Sequence, residues 1–540
     1  MIRRFGFLLA GLLLVVVLGV AGTIVLDARP IDASTSASPA ASSSAEAESA
    51  ANRSGRAGSP QRSADPAPAS SLPDAAATGA KEKPDDRTAA TDLTRAMDRL
   101  LADGRADDAF WGALVRDLQT GEVLYSRNAD KAFLPASNQK IITSATALDV
   151  LGTTYRYETT LRFDGQTVDS VMTGDLVIDG SGDPTFGSVE LRGADPLQTW
   201  AERLADMGVR RIEGRLIGDD NRFDDRPYPE GWDVDYITRQ AGRYMGTSAS
   251  GLSYSDNVVA VKISAARPGA PPNVRLRPAG TVNVRNEART SSRWRGSSVQ
   301  VDRIFTGNTV QLTGTVARSY RGTVNVPVSN PTMFTLQSFV QELQAAGIET
   351  DLDVRDIDDV SRRPDSGKAL FVNFSPPLSE IIAVVNKRSN NFYAEQLFRT
   401  YGWGGSARGA SKRTNAFLRQ IGVNTRQLLV NDGSGLSRKD LITPRAMVEV
   451  LAHMSDHPEK SAWFASLPQG GENNTTLEYR LHRTPVQAKT GSLRFVRALS
   501  GYAERSDGRR IAFAFFANNY TGPSYRVTRT MDDLVRTLAE

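Results

Sequence analysis

The stretch from Leu134 to Leu151 constrains this chain more than any other. Leu134-Pro135-Ala136 reads as the end of an extended entry, and Ile141, Ile142, Ala145, Leu148 and Leu151 then recur at helical spacing, on a stripe broad enough to be buried. Ser137 therefore stands at the N-terminus of a core helix, and Lys140, three residues on, shares its face. A serine hydroxyl is a poor nucleophile without an adjacent base, and a lysine held on a buried face can lose its proton because desolvation disfavours the ammonium form. The pair is a candidate nucleophile and base. Taken alone, an N-capping serine with an unrelated lysine one turn later is the commoner explanation of such a spacing.

With 540 residues and 40% hydrophobic composition, the chain can build two or three cores. Its net charge of +4 comes from 65 basic and 61 acidic residues interspersed along the sequence, without the basic block that tracks phosphates, so nucleic acid is not an expected partner. There is no cysteine, which excludes disulfides, thiolate metal sites and a cysteine nucleophile.

Arg3 and Arg4 precede an uncharged run from Phe5 to Leu26, and about 20 such residues suffice to cross a bilayer as a helix. Residues 1–27 are expected to be a signal anchor or a signal peptide. The length of the run favours a retained anchor, although Gly19-Val20-Ala21 would serve as a small-x-small cleavage site. Either way the rest of the chain lies outside the cytoplasm, in the cell envelope. Residues 28–90 are alanine, serine, proline and charge, too poor in apolar side chains to offset the entropy of folding, and read as a disordered tether.

Order resumes with Leu93, Met97, Leu100 and Leu101 on one helical face. A hairpin follows, Trp111–Leu118 and Val123–Ser126, joined through Gln119-Thr120-Gly121. Residues 91–156 are taken as the first part of a catalytic domain. Between 157 and 370 the texture changes to short alternating strands, interrupted by helices expected at Pro196–Met207 and Thr335–Ala346. Residues 371–540 return to the catalytic domain. There Leu378, Ile381, Ile382 and Val385 form one helix, Tyr393, Leu397 and Tyr401 another, and Thr443-Pro444 opens a third, with strands at Ala498–Ala503 and Ile511–Ala517.

Two further motifs bear on Ser137 and Lys140: Ser389-Asn390-Asn391, at the break between two helices, and Lys489-Thr490-Gly491-Ser492. Their order is that of penicillin-binding proteins and related lactamases. From about Leu93 to the C-terminus the chain closely resembles the D-alanyl-D-alanine carboxypeptidase/D-alanyl-D-alanine endopeptidase family, the class C low-molecular-mass penicillin-binding proteins. The matching segments are Leu134–Lys140, Gly182-Asp183-Pro184-Thr185, Gly231-Trp232, Ser389-Asn390-Asn391 with Ala394, Glu395 and Leu397, Asp432–Ser437, and Ala488–Ser492. One departure is Asn474-Thr475-Thr476-Leu477, where the family commonly has Gly-Thr-Leu.

The resemblance implies an α+β fold, a penicillin-binding/β-lactamase-like transpeptidase domain of antiparallel sheet packed by helices, with a large, mainly β insertion between the first and second motifs. It implies that Ser137 attacks the penultimate D-alanine carbonyl of a peptidoglycan stem peptide while Lys140 takes its proton. Ser389 would relay a proton to the leaving amine, with Lys489 setting the electrostatics. Asn391 would hold the substrate amide, Thr490 with Lys489 the terminal carboxylate, and the backbone N–H groups of Ser137 and Ser492 the oxyanion, with Gly491 lining the substrate site between them. β-Lactams would acylate the same serine, and no cofactor or metal is expected. A β-lactamase on the same scaffold and a non-catalytic wall-binding protein are the alternatives.

Competing motifs are weak. There is no G-x-S-x-G elbow, and His453, His457 and His482 are the only histidines. His453 and His457 have metal-compatible spacing but lack the glutamate of H-E-x-x-H, and Asp179–Asp183 lacks the downstream pattern of a calcium loop. Ser255-Asp256-Asn257 spells a literal S-D-N. It precedes the strand-like run from Val258 and is read as a turn within the insertion, leaving Ser389 as the second-motif serine.

Overall fold

A computed structural model describes residues 84–540 apart from 105, 107, 192, 239–245, 306 and 362–366. The expected anchor, and the expected tether up to residue 83, lie outside these residues. Among the described residues no helix is long and apolar enough to cross a membrane. The tether was expected to run to residue 90, but a helix spans Pro84–Ala102. Pro84 fits a first helical position, so the chain enters the helix earlier than its low apolar content suggests.

The body expected to be catalytic is built on a five-stranded sheet in the order Val486–Leu493, Val496–Glu504, Arg510–Asn518, Phe110–Asp117, Val123–Arg127, antiparallel throughout. The early hairpin thus pairs with strands that follow the last motif. The central strand Arg510–Asn518 is buried along almost its whole length because both faces of the sheet are covered. Ala512, Ala514 and Phe516 face one core with the helices Gln139–Leu151, Asn391–Tyr401 and Pro444–Asp456. Ile511, Phe513 and Phe515 face another, with Leu93, Met97 and Leu101 of the first helix and Leu534, Val535 and Leu538 of the last, Ser524–Ala539. Thr443 caps the Pro444 helix, its Oγ1 accepting from the Ala446 N–H at 3.1 Å.

The insertion leaves and re-enters the body through one neck. Tyr157 N–H donates to Ser375 Oγ at 2.8 Å and Ser375 N–H donates to Tyr157 O at 3.0 Å. Between them a second five-stranded sheet runs in the order Glu349–Asp356, Arg211–Asp219, Val171–Asp179, Glu158–Val168, Lys368–Phe374. The last strand carries the insertion slightly past the expected boundary at 370. Two of its strand pairs are parallel, and the connections that parallel pairing demands contain the helices Pro196–Asp206 and Pro331–Ala345. The second helix starts four residues before the expected Thr335, because Asn330 caps it, accepting from Met333 N–H at 2.9 Å, and Pro331 occupies its first position. A smaller β region is centred on Val258–Ser264, which pairs with both Asn273–Arg277 and Arg321–Pro327. The insertion has its own hydrophobic core, including Trp200, Leu216, Val261 and Phe339.

Candidate active site

Ser137 lies in a short 3-10 turn, Ala136–Asn138, that runs into the Gln139–Leu151 helix. Ala136 adopts φ +47°, which turns the extended entry sharply into the helix. Lys140 is fully buried. Its Nζ donates to Ser137 Oγ at 3.2 Å, Asn391 Oδ1 at 2.6 Å and Ser434 O at 2.5 Å, which uses all three ammonium donors or leaves a neutral amine poised between them. Burial pushes its pKa down to about 7, against the pull of Asp432, Glu395 and Asp440, whose charges favour the ammonium form.

Ser389 follows a π-helical turn, Val384–Arg388, and takes φ +57°, a left-handed conformation that an L-residue adopts at a cost of about 1–2 kcal/mol. The break separates the helices Leu378–Ala383 and Asn391–Tyr401 and aims Ser389 at Lys489, whose Nζ donates to Ser389 Oγ at 2.9 Å and to Thr490 O at 2.7 Å. Lys489 is also fully buried, and its pKa is driven well below the usual lysine range by desolvation and then by the Lys140 charge. No carboxylate offsets this shift as the three acids do for Lys140.

The strands expected after the third motif begin within it. Lys489, Thr490, Gly491 and Ser492 all belong to the edge strand Val486–Leu493, which a run of Lys-Thr-Gly-Ser does not announce. This strand lies against the Ser137 turn. A Cβ on Gly491 would stand 2.8 Å from Pro135 O and 3.2 Å from Ala136 Cβ, so only glycine permits the approach. Lys140 thus bonds Ser137 and Asn391, Lys489 bonds Ser389, and the two ammonium groups lie close enough for the Lys140 charge to act on Lys489, which places all five residues about one cleft with Thr490–Ser492 along its wall.

Sequence reasoning assigned no role to the Asp432–Ser437 loop, which forms the floor of this cleft. Asp432 is buried and accepts from Trp232 Nε1 at 2.6 Å, Ser434 Oγ at 2.9 Å, Gly435 N–H at 2.7 Å and Ser437 N–H at 3.0 Å. Glu395 accepts from Gly433 N–H at 2.9 Å. Together they hold the Ser434 carbonyl against Lys140. Burial raises the Glu395 pKa to about 7, and burial followed by the Asp432 charge raises that of Asp440 well above the carboxylate range. An acid followed by two glycines was the available signal.

The variant loop at Asn474–Leu477 packs beside the second motif. Thr476 N–H donates to Lys387 O at 3.2 Å, and Lys387 Nζ meets Glu472 Oε1 at 2.6 Å. His453 and His457 converge with Asp149 outside this cleft, their candidate ligand atoms within 4.8 Å of one another. His457 Nδ1, however, accepts the Glu459 N–H at 3.1 Å, whereas a metal-bound histidine normally donates through its second nitrogen. Asp183 caps its own turn, accepting from Thr185 N–H and Oγ1, both at 2.7 Å. Ser255–Asn257 forms a turn before the Val258 strand and supplies no partner to the Lys140 or Lys489 ammonium groups.

The profile of the D-Ala-D-Ala carboxypeptidase 3 (S13) family matches residues 93–540. The chain belongs to this family. It is 32% identical over 454 residues to the D-alanyl-D-alanine carboxypeptidase of Actinomadura sp. (strain R39), covering 80% of this chain and 82% of that one. It is 24% identical over 423 residues to D-alanyl-D-alanine carboxypeptidase DacB of Haemophilus influenzae, covering 76% and 85%. The crystal structure of penicillin binding protein 4 (dacB) from H. influenzae superimposes with a TM-score of 0.69 at 22% identity, over 82% of this chain and 98% of that one, which fixes the fold. The H. influenzae protein has also been solved in complex with a β-lactam.

Proposed function

We propose that this S13-family chain is a serine D-Ala-D-Ala carboxypeptidase that trims peptidoglycan stem peptides, or cuts their cross-links, through an acyl-enzyme on Ser137. The observation that carries the residue assignment is the buried Lys140 with its Nζ 3.2 Å from Ser137 Oγ and a pKa near neutrality. Ser137 Oγ attacks the carbonyl of the penultimate D-alanine as Lys140 takes its proton. The tetrahedral oxyanion is received by the backbone N–H groups of Ser137 and Ser492. Lys489 donates to Ser389 Oγ, so the serine's own hydroxyl proton can turn toward the leaving D-alanine amine, and Lys489 restores it. Asn391 holds the substrate amide, Thr490 and Lys489 hold the terminal carboxylate, and Gly491 keeps the wall close to the nucleophile. Water then attacks the acyl-serine carbonyl and releases the shortened peptide.

Residues 1–27 anchor the enzyme in the cytoplasmic membrane on the extracytoplasmic side, and the polar stretch after them gives it reach. The supporting feature is the uncharged Phe5–Leu26 run behind Arg3 and Arg4. A labelled penicillin applied to cells carrying the full chain should yield one adduct, on a peptide containing Ser137, and the labelled protein should remain with the membrane after a high-salt wash. No label on Ser137 would overturn the residue assignment, and labelled protein released to the soluble fraction would overturn the anchor. Rapid turnover of the adduct would favour the β-lactamase reading.

A further inference from the structure

The S-D-N triplet of the insertion does not enter the cleft, but it touches the helix that carries the second motif. Ser255, Asp256 and Asn257 all have left-handed backbones, with φ of +49°, +56° and +55°. Three such residues in a row are unfavourable for non-glycine chain and call for local compensation. Ser255 N–H donates to Phe186 O at 3.0 Å, and Asn257 Nδ2 donates to Ser248 O at 2.8 Å and Ser253 Oγ at 3.0 Å. The turn so held presents Asp256. Its carboxylate accepts from Ser188 Oγ at 2.6 Å, and Ser188 Oγ in turn accepts from Tyr393 Oη at 2.8 Å.

Tyr393 is buried in the first turn of the Asn391 helix, and its N–H donates to Asn390 Oδ1 at 3.0 Å. Asn390 Nδ2 reaches back to Glu190 Oε1 at 3.4 Å, and Glu190 N–H donates to Ser188 Oγ at 3.2 Å. The same helix is held one turn later by Gln396, whose side chain bonds Ser250 N–H, Ser250 O, Gly182 O and Ser253 Oγ. These contacts bind the insertion to the segment that sets Ser389 and Asn391, the Asn390 contact within the motif itself and the shorter Tyr393 contact two residues beyond it.

We infer that Asp256, acting through Ser188 and Tyr393, is a positioning residue for acylation, so that the insertion fixes the placement of Ser389 and Asn391. The inference rests on the reading of Ser137 as the acylated serine. The direction of the bonds supports it: Tyr393 donates, Ser188 passes the bond on, and Asp256 must accept. Burial lifts the Asp256 carboxyl to about 6, against the Ser188 bond and with the Glu190 charge, so at neutral pH it is mostly ionised and purely an acceptor. Asn391 Oδ1, two residues before Tyr393, receives Lys140 at 2.6 Å, so a shift of the helix start is felt at the base itself.

The test is the rate of Ser137 acylation by a labelled penicillin, per active site, in the full chain. Asp256→Ala should slow the first-order acylation step about tenfold or more while leaving the half-saturating penicillin concentration within about twofold, since misplacement costs rate more than binding. Asp256→Asn should recover most of the rate, because its Oδ1 can still accept the Ser188 hydroxyl. Tyr393→Phe, which removes only the hydroxyl, should slow acylation similarly, and the double variant should be no slower than the worse single. Ser255→Ala should acylate as the wild type does.

A merely structural part would lower thermal stability without changing the rate per labelled site. If Asp256→Ala does not fold, Tyr393→Phe carries the test. Wild-type acylation with unimpaired Asp256→Ala or Tyr393→Phe, or losses that multiply in the double variant, would overturn the inference alone. Absence of label at Ser137 in the wild type would overturn the parent reading as well.

Discussion

The pH dependence of acylation should report the ionisation of Lys140. An ordinary lysine, with a pKa of about 10.4, is only about 0.04% neutral at pH 7. With a pKa of about 7, roughly half of Lys140 is neutral there, a gain of about a thousandfold in available base. The folded value lies below the unfolded one, so between about pH 7 and 10.5 the unfolded chain holds a proton that the folded chain lacks. Stability should therefore rise with pH across that window, while at lower pH the cost of holding Lys140 charged rather than neutral in the fold remains, roughly 5 kcal/mol. Stopped-flow acylation by a chromogenic β-lactam between pH 5.5 and 9 should rise about tenfold from pH 6 upward and level off near pH 8. Glu395→Gln keeps an acceptor for Gly433 N–H but removes a charge that favours the ammonium form, and should move the inflection to lower pH. Lys140 and Glu395 titrate in the same range, so the wild-type inflection is an apparent value of the pair. A flat profile, or an inflection near 9 or above, would refute lysine as the base.

Two further outcomes test the cleft. Ser389→Ala should slow acylation on the order of a hundredfold or more, as expected for a lost proton relay, with the penicillin adduct still on Ser137; an unchanged rate would remove Ser389 from the mechanism. Gly435→Ala places a Cβ 1.8 Å from Ala136 O at a residue with φ +79°, so the loop must move, and with it the Ser434 carbonyl that meets Lys140. The variant should lose at least about 1–2 kcal/mol of stability from the backbone alone and acylate much more slowly, measured by thermal melting and labelling; wild-type behaviour in both would show that the loop is not a fixed floor.

How far the sequence could be read depended on whether a residue's neighbours were near it along the chain. The Ser137 helix, the early hairpin, the Thr443 cap and the break at Ser389 were legible because spacing and capping act over a few residues. The strand carrying Lys489 was not read as a strand, since its place is set by pairing with Val496–Glu504 and by the gap that Gly491 leaves beside Pro135. Nor did the sequence announce the π-helical turn before Ser389, whereas the Asn330-Pro331 helix start carried the same local signal as Thr443-Pro444 and was overlooked. The Asp432 loop was recognised only as a family segment, because its function lies in bonds to Trp232 and Lys140, each hundreds of residues away along the chain. Ser255-Asp256-Asn257 was correctly read as a turn, but its reach to Tyr393 through Ser188 needed the fold.

The order of strands in the sheet that carries Lys489 also bears on when the cleft can first be completed. Phe110 pairs with Asn518, so the sheet closes across nearly the whole described sequence. A contact of that span is slow to form, because a long loop must close before the pairing repays it. The insertion, whose strands and core lie between residues 158 and 374, can collapse earlier on its own contacts. Ser137 and Lys140 can thus sit on their helix before the strand that carries Lys489 pairs beside them, so the cleft is completed by long-range pairing and not by the helix that opens it.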